Sequence, residues 1–157
     1  MLSLALWSAA TSGAQPLAQK LDFGRHELGE PINLGSTPIA SKRDCQTRSL
    51  YSCEVQLDDG VWYMFDNQRI VAKTIRMPFP FLPQGIIASD NPSQCRRRLE
   101  RLTGAKFKIW TDDYGVIFVE TSDLIFPRRG QPYGISVAFR GARMQDVVIT
   151  ALPHPDS

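Results

Sequence analysis

Histidine is nearly missing from this chain and cysteine is scarce: 157 residues carry two histidines and three cysteines. His26 and His154 stand far apart, and neither belongs to a close-spaced set of three or four ligands, so the sequence writes no zinc site. No Ser or Cys sits in a nucleophile elbow, which leaves any Ser-His-Asp or Cys-His hydrolase dependent on His26 alone. There is no Gly-rich phosphate loop and no G-x-G-x-x-G, so no nucleotide or other cofactor is expected. Neither sign of charge is in excess: 18 basic and 16 acidic residues leave +2, which argues against a dedicated nucleic-acid binder. Beyond the first residues no apolar run is long enough to span a bilayer. These absences point away from an enzyme. What remains is globular, with 43% apolar and 22% charged residues.

The strongest positive feature is a repeat. Gly60-Val61-Trp62-Tyr63-Met64-Phe65, Arg69-Ile70 and Ile75 recur 74 positions later as Gly134-Ile135-Ser136-Val137-Ala138-Phe139, Arg143-Met144 and Ile149. Each copy reads as a period-two strand, a polar turn and a second strand, with Val61, Tyr63, Phe65 and Ile135, Val137, Phe139 facing the core. Any two hairpins share alternation and a turn, but several matches at one ungapped offset favour duplication.

The first residues read as a leader. Leu2 to Ala10 is apolar, and Ser12 and Ala14 provide the small side chains of a secretory cleavage site between Ala14 and Gln15. No Lys or Arg precedes the run, so a late start or a short amphipathic leader is the alternative. Residues 1–14 are expected to be a signal peptide, and the mature protein periplasmic or secreted. Export places the cysteines in an oxidising compartment. Cys45 and Cys53 either form a disulfide, worth about 2–3 kcal/mol by loop entropy, or stay two buried thiols. Cys95 is expected as an inert core thiol.

Along the chain, Asp22 to Glu27 is expected as a strand. Ser36-Thr37-Pro38 opens a short helix over Ile39 to Cys45. Strands follow at Leu50 to Gln56, Val61 to Phe65 and Arg69 to Arg76, with a hairpin turn at Asp58-Asp59-Gly60. Three prolines between Met77 and Pro83 exclude a helix and mark an ordered linker whose Phe79 and Phe81 pack on the protein itself. Asn91-Pro92 caps a helix to Leu102 that Gly104 closes, with Cys95, Leu99 and Leu102 as its apolar stripe. Strands at Lys106 to Thr111 and Val116 to Thr121, a loop from Ser122 to Gly134, and the repeated hairpin from Ile135 to Ala151 complete the chain. The expected fold is α+β: two tandem modules at 15–76 and 85–152, each a short helix on an antiparallel meander. A Pro-rich linker at 77–84 joins them, and 153–157 is a tail.

Tandem helix-plus-sheet modules with Cys45 and Cys53 near the first helix, and strand-turn-strand endings at Phe65 to Ile75 and Phe139 to Ile149, resemble the β-lactamase-inhibitor-protein-like group. That group contains secreted enzyme inhibitors and, as single modules, outer-membrane assembly lipoproteins. The group's usual Gly-Met-Ser/Thr helix entry has only a loose counterpart in Gly85-Ile86 to Asn91-Pro92, so the resemblance transfers no functional residue.

Two clusters are candidates for binding. Arg96, Arg97, Arg98 and Arg101 form either a solvated helix face or a contact for an anionic polymer or acidic partner. In the loop, Phe126, Arg128, Arg129 and Tyr133 combine the residue types of binding hot spots, and Pro127 and Pro132 limit its freedom; otherwise Phe126 and Tyr133 finish the core. The pairs Asp58-Asp59 and Asp112-Asp113 precede hairpin glycines and read as turn chemistry. The expected function is an exported, non-enzymatic protein-binding module: an inhibitor, an immunity-type protein or an envelope accessory factor. An assembly factor on cell-wall or membrane polymers is the alternative, and a small hydrolase a distant third.

Overall fold

Alternation of period two becomes strand along most of the chain. The computed structural model describes residues 21–33, 39–43, 54–66, 69–125 and 132–151. Its elements are β1 (Ile39–Arg43), β2 (Glu54–Leu57), β3 (Trp62–Asp66), β4 (Arg69–Arg76), α1 (Pro92–Thr103), β5 (Lys108–Thr111), β6 (Val116–Ile125), β7 (Pro132–Arg140) and β8 (Arg143–Ala151). Neighbouring strands are antiparallel, in the order β1-β2-β3-β4-β8-β7-β6-β5.

That order overturns the expectation of two separate helix-plus-meander modules. The last strands of the two meanders pair with each other, from Ala72↔Thr150 to Arg76↔Asp146, and make one eight-stranded sheet. Left apart, each meander would expose a row of unpaired backbone groups beside Ile75 or Ile149; joining satisfies both rows and runs the apolar layer through. A single core cluster accordingly holds residues of both halves, from Val55 and Tyr63 to Val137 and Ile149. Among the described residues α1 is the one helix, and Ile39–Arg43, expected as helical, is edge strand β1 on β2.

The repeat persists as geometry. Trp62↔Thr74 in one hairpin corresponds to Ser136↔Val148 in the other, and Phe65↔Ile70 to Phe139↔Met144. Each hairpin carries a register shift at the same place, between Met64 and Phe65 and between Ala138 and Phe139. At the seam, Lys73↔Ile149 and Ile75↔Val147 flank Thr74↔Val148, so equivalent strands meet about a local two-fold axis.

The helix forms as its caps dictate. The Asn91 side chain accepts from the Gln94 amide and the Gln94 side chain from the Asn91 amide, both at 2.9 Å, and Gly104 closes the helix at φ 73°. Cys95, Leu99 and Thr103 are buried against the sheet, and Leu102 is half-buried. Gly85 lets the linker approach: at φ +94°, a Cβ there would lie 2.1 Å from Leu102 Cδ1.

Residues 21–32 cover the first half of the sheet with Leu21, Phe23, Leu28 and Ile32. Asp22 to Glu27, expected as a strand, is irregular because its polar groups answer to a cation, not to a ladder. Lys73 is 0% exposed and its Nζ donates to the Asp22 carboxylate, to the Phe23 carbonyl at 2.6 Å and to the His26 carbonyl at 2.9 Å. Phe79 and Leu82 of the linker pack on the same core, and Phe81 meets Phe23 edge-on at 6.4 Å. Strand takes up both ends of the loop expected from Ser122 to Gly134: β6 runs on to Ile125 past a register shift and β7 starts at Pro132.

Candidate functional site

Residues 21–32, the linker and α1 all feed one core cluster, so they cover one face of the sheet. Among the described residues no segment joins the core from the other face, where Ala72 and Thr74 are buried, most side chains are half-buried, and Lys108, Trp110 and Thr150 are exposed. Strand alternation sends the even-numbered residues of most strands there. Its middle is lined by small residues: Ala72 and Thr74 on β4, Thr150 on β8, Gly134 and Ser136 on β7. Each side carries an aromatic group with charges. On one side, Arg76 grips Glu54 through Nη2 at 2.9 Å from both carboxylate oxygens and lies 5.0 Å from the Trp62 ring centroid. Its Nε is 4.0 Å from the Asp146 carboxylate, and its Nη1 is buried without a hydrogen-bond partner. On the other, Trp110 stacks on Phe118 with centroids 4.6 Å apart and planes inclined by 19°. Trp110 is 43% exposed, and Tyr114, at the adjoining turn, 86%.

Two residues along each strand from that stack, Lys108 faces Glu120 in register. There the sheet opens into a trough of about 340 Å³, lined by Lys106, Lys108, Glu120, Ser122, Ser136 and Thr150 around Gly134. Gly134, which has no side chain, is among the residues that line it.

The residues whose pKa values are displaced gather on the covered face instead. Tyr63 Oη donates to Asp59 at 2.6 Å, and the Arg25 and Val61 amides donate to the same carboxylate at 3.0 Å. Partial burial acts to raise the Asp59 carboxyl, but these hydrogen bonds outweigh it and hold it below its ordinary value. Burial, then the bond to Asp59, pushes the Tyr63 phenol well up; burial, then the Asp22 charge, does the same for Tyr133. His26 Nδ1 lies 3.0 Å from Glu30, and the ring meets Tyr63 edge-on at 5.7 Å. None of these His26 contacts is to a Ser or Cys. Lys73 spends its three protons on three acceptors, so it ties residues 22–26 to the sheet and has no lone pair to offer.

The arginine cluster divides. Arg98 is committed to Asp90, with Nε at 2.7 Å and Nη2 at 3.2 Å, while Arg97 and Arg101 are exposed and Arg96 is half-buried. Tyr133, expected as an exposed anchor, is 0% exposed and finishes the core, the other role its position allowed. Phe126, Arg128 and Arg129 lie outside the described residues, as do Cys45 and Cys53 and the leader 1–14. Cys95 is buried, and burial lifts its thiol to about 12. Asp112 accepts from the Tyr114 and Val116 amides, and Asp59 from Val61, so both acidic pairs do serve turns.

Sequence reasoning followed the core phase of each strand and passed over the opposite one. Trp62 and Trp110 were its signal, two large aromatics on the phase that polar residues normally occupy. Comparison with protein-family models, curated proteins and solved structures finds no match to this chain.

Proposed function

We propose that the chain is an exported, non-catalytic binding module that holds a protein partner on the open face of its sheet. One observation carries the reading: the described covering segments lie on one face, and the other presents Trp62–Arg76–Glu54 and Trp110–Phe118 on either side of a trough. Trp and Arg are the residue types on which interface energies concentrate. Held on strands, they lose little freedom on docking. Export follows from the leader reading of residues 1–14, with Ser12 and Ala14 at the cleavage site. An inhibitor, an immunity-type protein and an envelope accessory factor all use such a surface.

A photoreactive residue at position 64, on the open face, should crosslink one defined envelope protein, and the same residue at position 97, on α1, should not. The pair Trp62→Ala and Arg76→Ala should weaken that complex by at least about 2 kcal/mol, the hot-spot threshold. The exposure of Arg97 and Arg101 favours a second reading, contact of α1 with an anionic cell-wall or membrane polymer. Crosslinks from position 97 alone, with salt-sensitive retention on such polymer, would replace the first reading by the second.

A further inference from the structure

We infer that the trough around Gly134 is a saccharide subsite, with Trp110 as the platform on which a sugar ring stacks. This goes beyond protein docking and stands whether or not a protein covers the rest of the face.

The argument begins with unspent polar groups. Among the described residues, no intramolecular hydrogen bond or ion pair uses the side chains of Lys108, Glu120, Ser136 or Thr150. Lys108 and Glu120 are direct register partners, yet no ion pair joins them. Four rigid strands therefore present an ammonium, a carboxylate and two hydroxyls to one hollow, with the fold drawing on none of them. An ammonium only donates, a carboxylate only accepts, and hydroxyls do both. A ligand that satisfies such a set carries many groups that both donate and accept, which describes a polyol. An anion would meet Glu120, and a cation Lys108.

The second observation is the stack. Phe118 occupies one face of the Trp110 indole at 4.6 Å and holds it flat, and Trp110 as a residue stays exposed. Trp110 and Lys108 are two residues apart on one strand, about 7 Å along the face. A pyranose has that duality: hydroxyls around the rim and a patch of C–H bonds on its face, which an aromatic π-surface accepts. The hollow of about 340 Å³ is shared by residues of β5 to β8, so it offers room across several strands for more than one sugar ring.

The test titrates the mature chain with neutral tetrasaccharides, one each of β-1,4-linked N-acetylglucosamine, β-1,4-linked glucose and α-1,4-linked glucose. Tryptophan fluorescence and calorimetry read binding. Saturable binding of at least one is expected, weakened about tenfold or more by Trp110→Ala and by Gly134→Val, and unchanged by Arg97→Ala. Trp110→Phe keeps a platform and should retain most of the affinity. If Gly134→Val disturbs the melting curve, Ser136→Gln blocks the same trough from an ordinary strand position. No saturable binding up to about 10 mM by the folded protein overturns the inference, as does binding that survives both the platform and the trough variants. A chain that binds an envelope protein but none of these sugars would leave the docking reading intact and remove this one.

Discussion

Lys73→Met is the sharpest probe of how the sheet holds its N-terminal cover. Methionine keeps most of the lysine stem and volume, so little cavity forms and the change isolates the ammonium. Three acceptors then lose their donor: the Asp22 carboxylate and the carbonyls of Phe23 and His26. Removing one partner of a buried ion pair costs about 3–5 kcal/mol, because the remaining groups stay desolvated. Asp22 is 23% exposed at its side chain and regains water, which places the expected loss near the lower figure, about 3 kcal/mol. A protein with an ordinary reserve of about 5–15 kcal/mol survives that, but with a visibly lower urea midpoint. Urea unfolding followed by tryptophan fluorescence measures it. Adding Asp22→Asn should restore part of the loss, since the penalty comes from an orphaned charge. The pH profile offers an independent reading. Burial, opposed by Asp22, lowers Lys73 below its ordinary 10.5. Between that lowered value and 10.5 the unfolded chain holds the additional proton, so this group's contribution rises with pH through the window, and Lys73→Met should remove that slope. A Lys73→Met protein within about 1 kcal/mol of the parent, with no coupling to Asp22, would refute the reasoning.

The raised phenols of Tyr63 and Tyr133 give stability that is whole below about pH 10 and drains as pH climbs toward their folded values. Phenolate absorbance should therefore show these two ionising only as the fold is lost; ionisation of both with native circular dichroism would count against their burial. Phe65→Ala and Phe139→Ala should each cost about 3–5 kcal/mol in urea unfolding, since both rings are buried at matching ladder positions, and a loss below about 1 kcal/mol at either would deny the match. Cys95 should resist a thiol reagent in the folded protein. After unfolding without reductant, one thiol per chain is expected if Cys45 and Cys53 are bridged, and a count of three would show that they stay reduced.

Local signals carried what is local. Asn91-Pro92 and Gly104 bounded the helix to within a residue, because capping depends on a few neighbouring atoms. The two repeated hairpins were legible because period two and the polar turns at 66–68 and 140–142 sit inside short windows. Ile39–Arg43 reads as helix because a hydroxyl-Pro signal precedes it, while its ladder partners Glu54 to Leu57 lie further along the chain, outside that window. Asp22 to Glu27 is expected as a strand, yet its conformation answers to Lys73, some fifty residues on. The β4–β8 pairing leaves no local trace, since both strands look equally ready to end a sheet or to continue one. As for the site, the arginines stood out by density, but Arg98 serves Asp90 and the cluster does not act as one. The open-face aromatics were written in the sequence, on the phase that was not followed.

The seam about Thr74 and Val148 reads the same from either side, and this makes it indifferent to which chain supplies each strand. Geometry that lets β4 receive β8 would equally let a β8 receive the β8 of another copy. Within one chain, residues 77–142 join the two strands, the proline-rich stretch among them, and a tether of this kind holds its ends at an effective concentration of the order of millimolar. Self-closure therefore wins by local abundance, with no discrimination built into the contact itself. Shortening the proline-rich stretch until it no longer spans the distance would leave every ladder contact available and change only who makes it, turning a monomer into an exchanged pair. The length of that stretch sets the valency of the sheet.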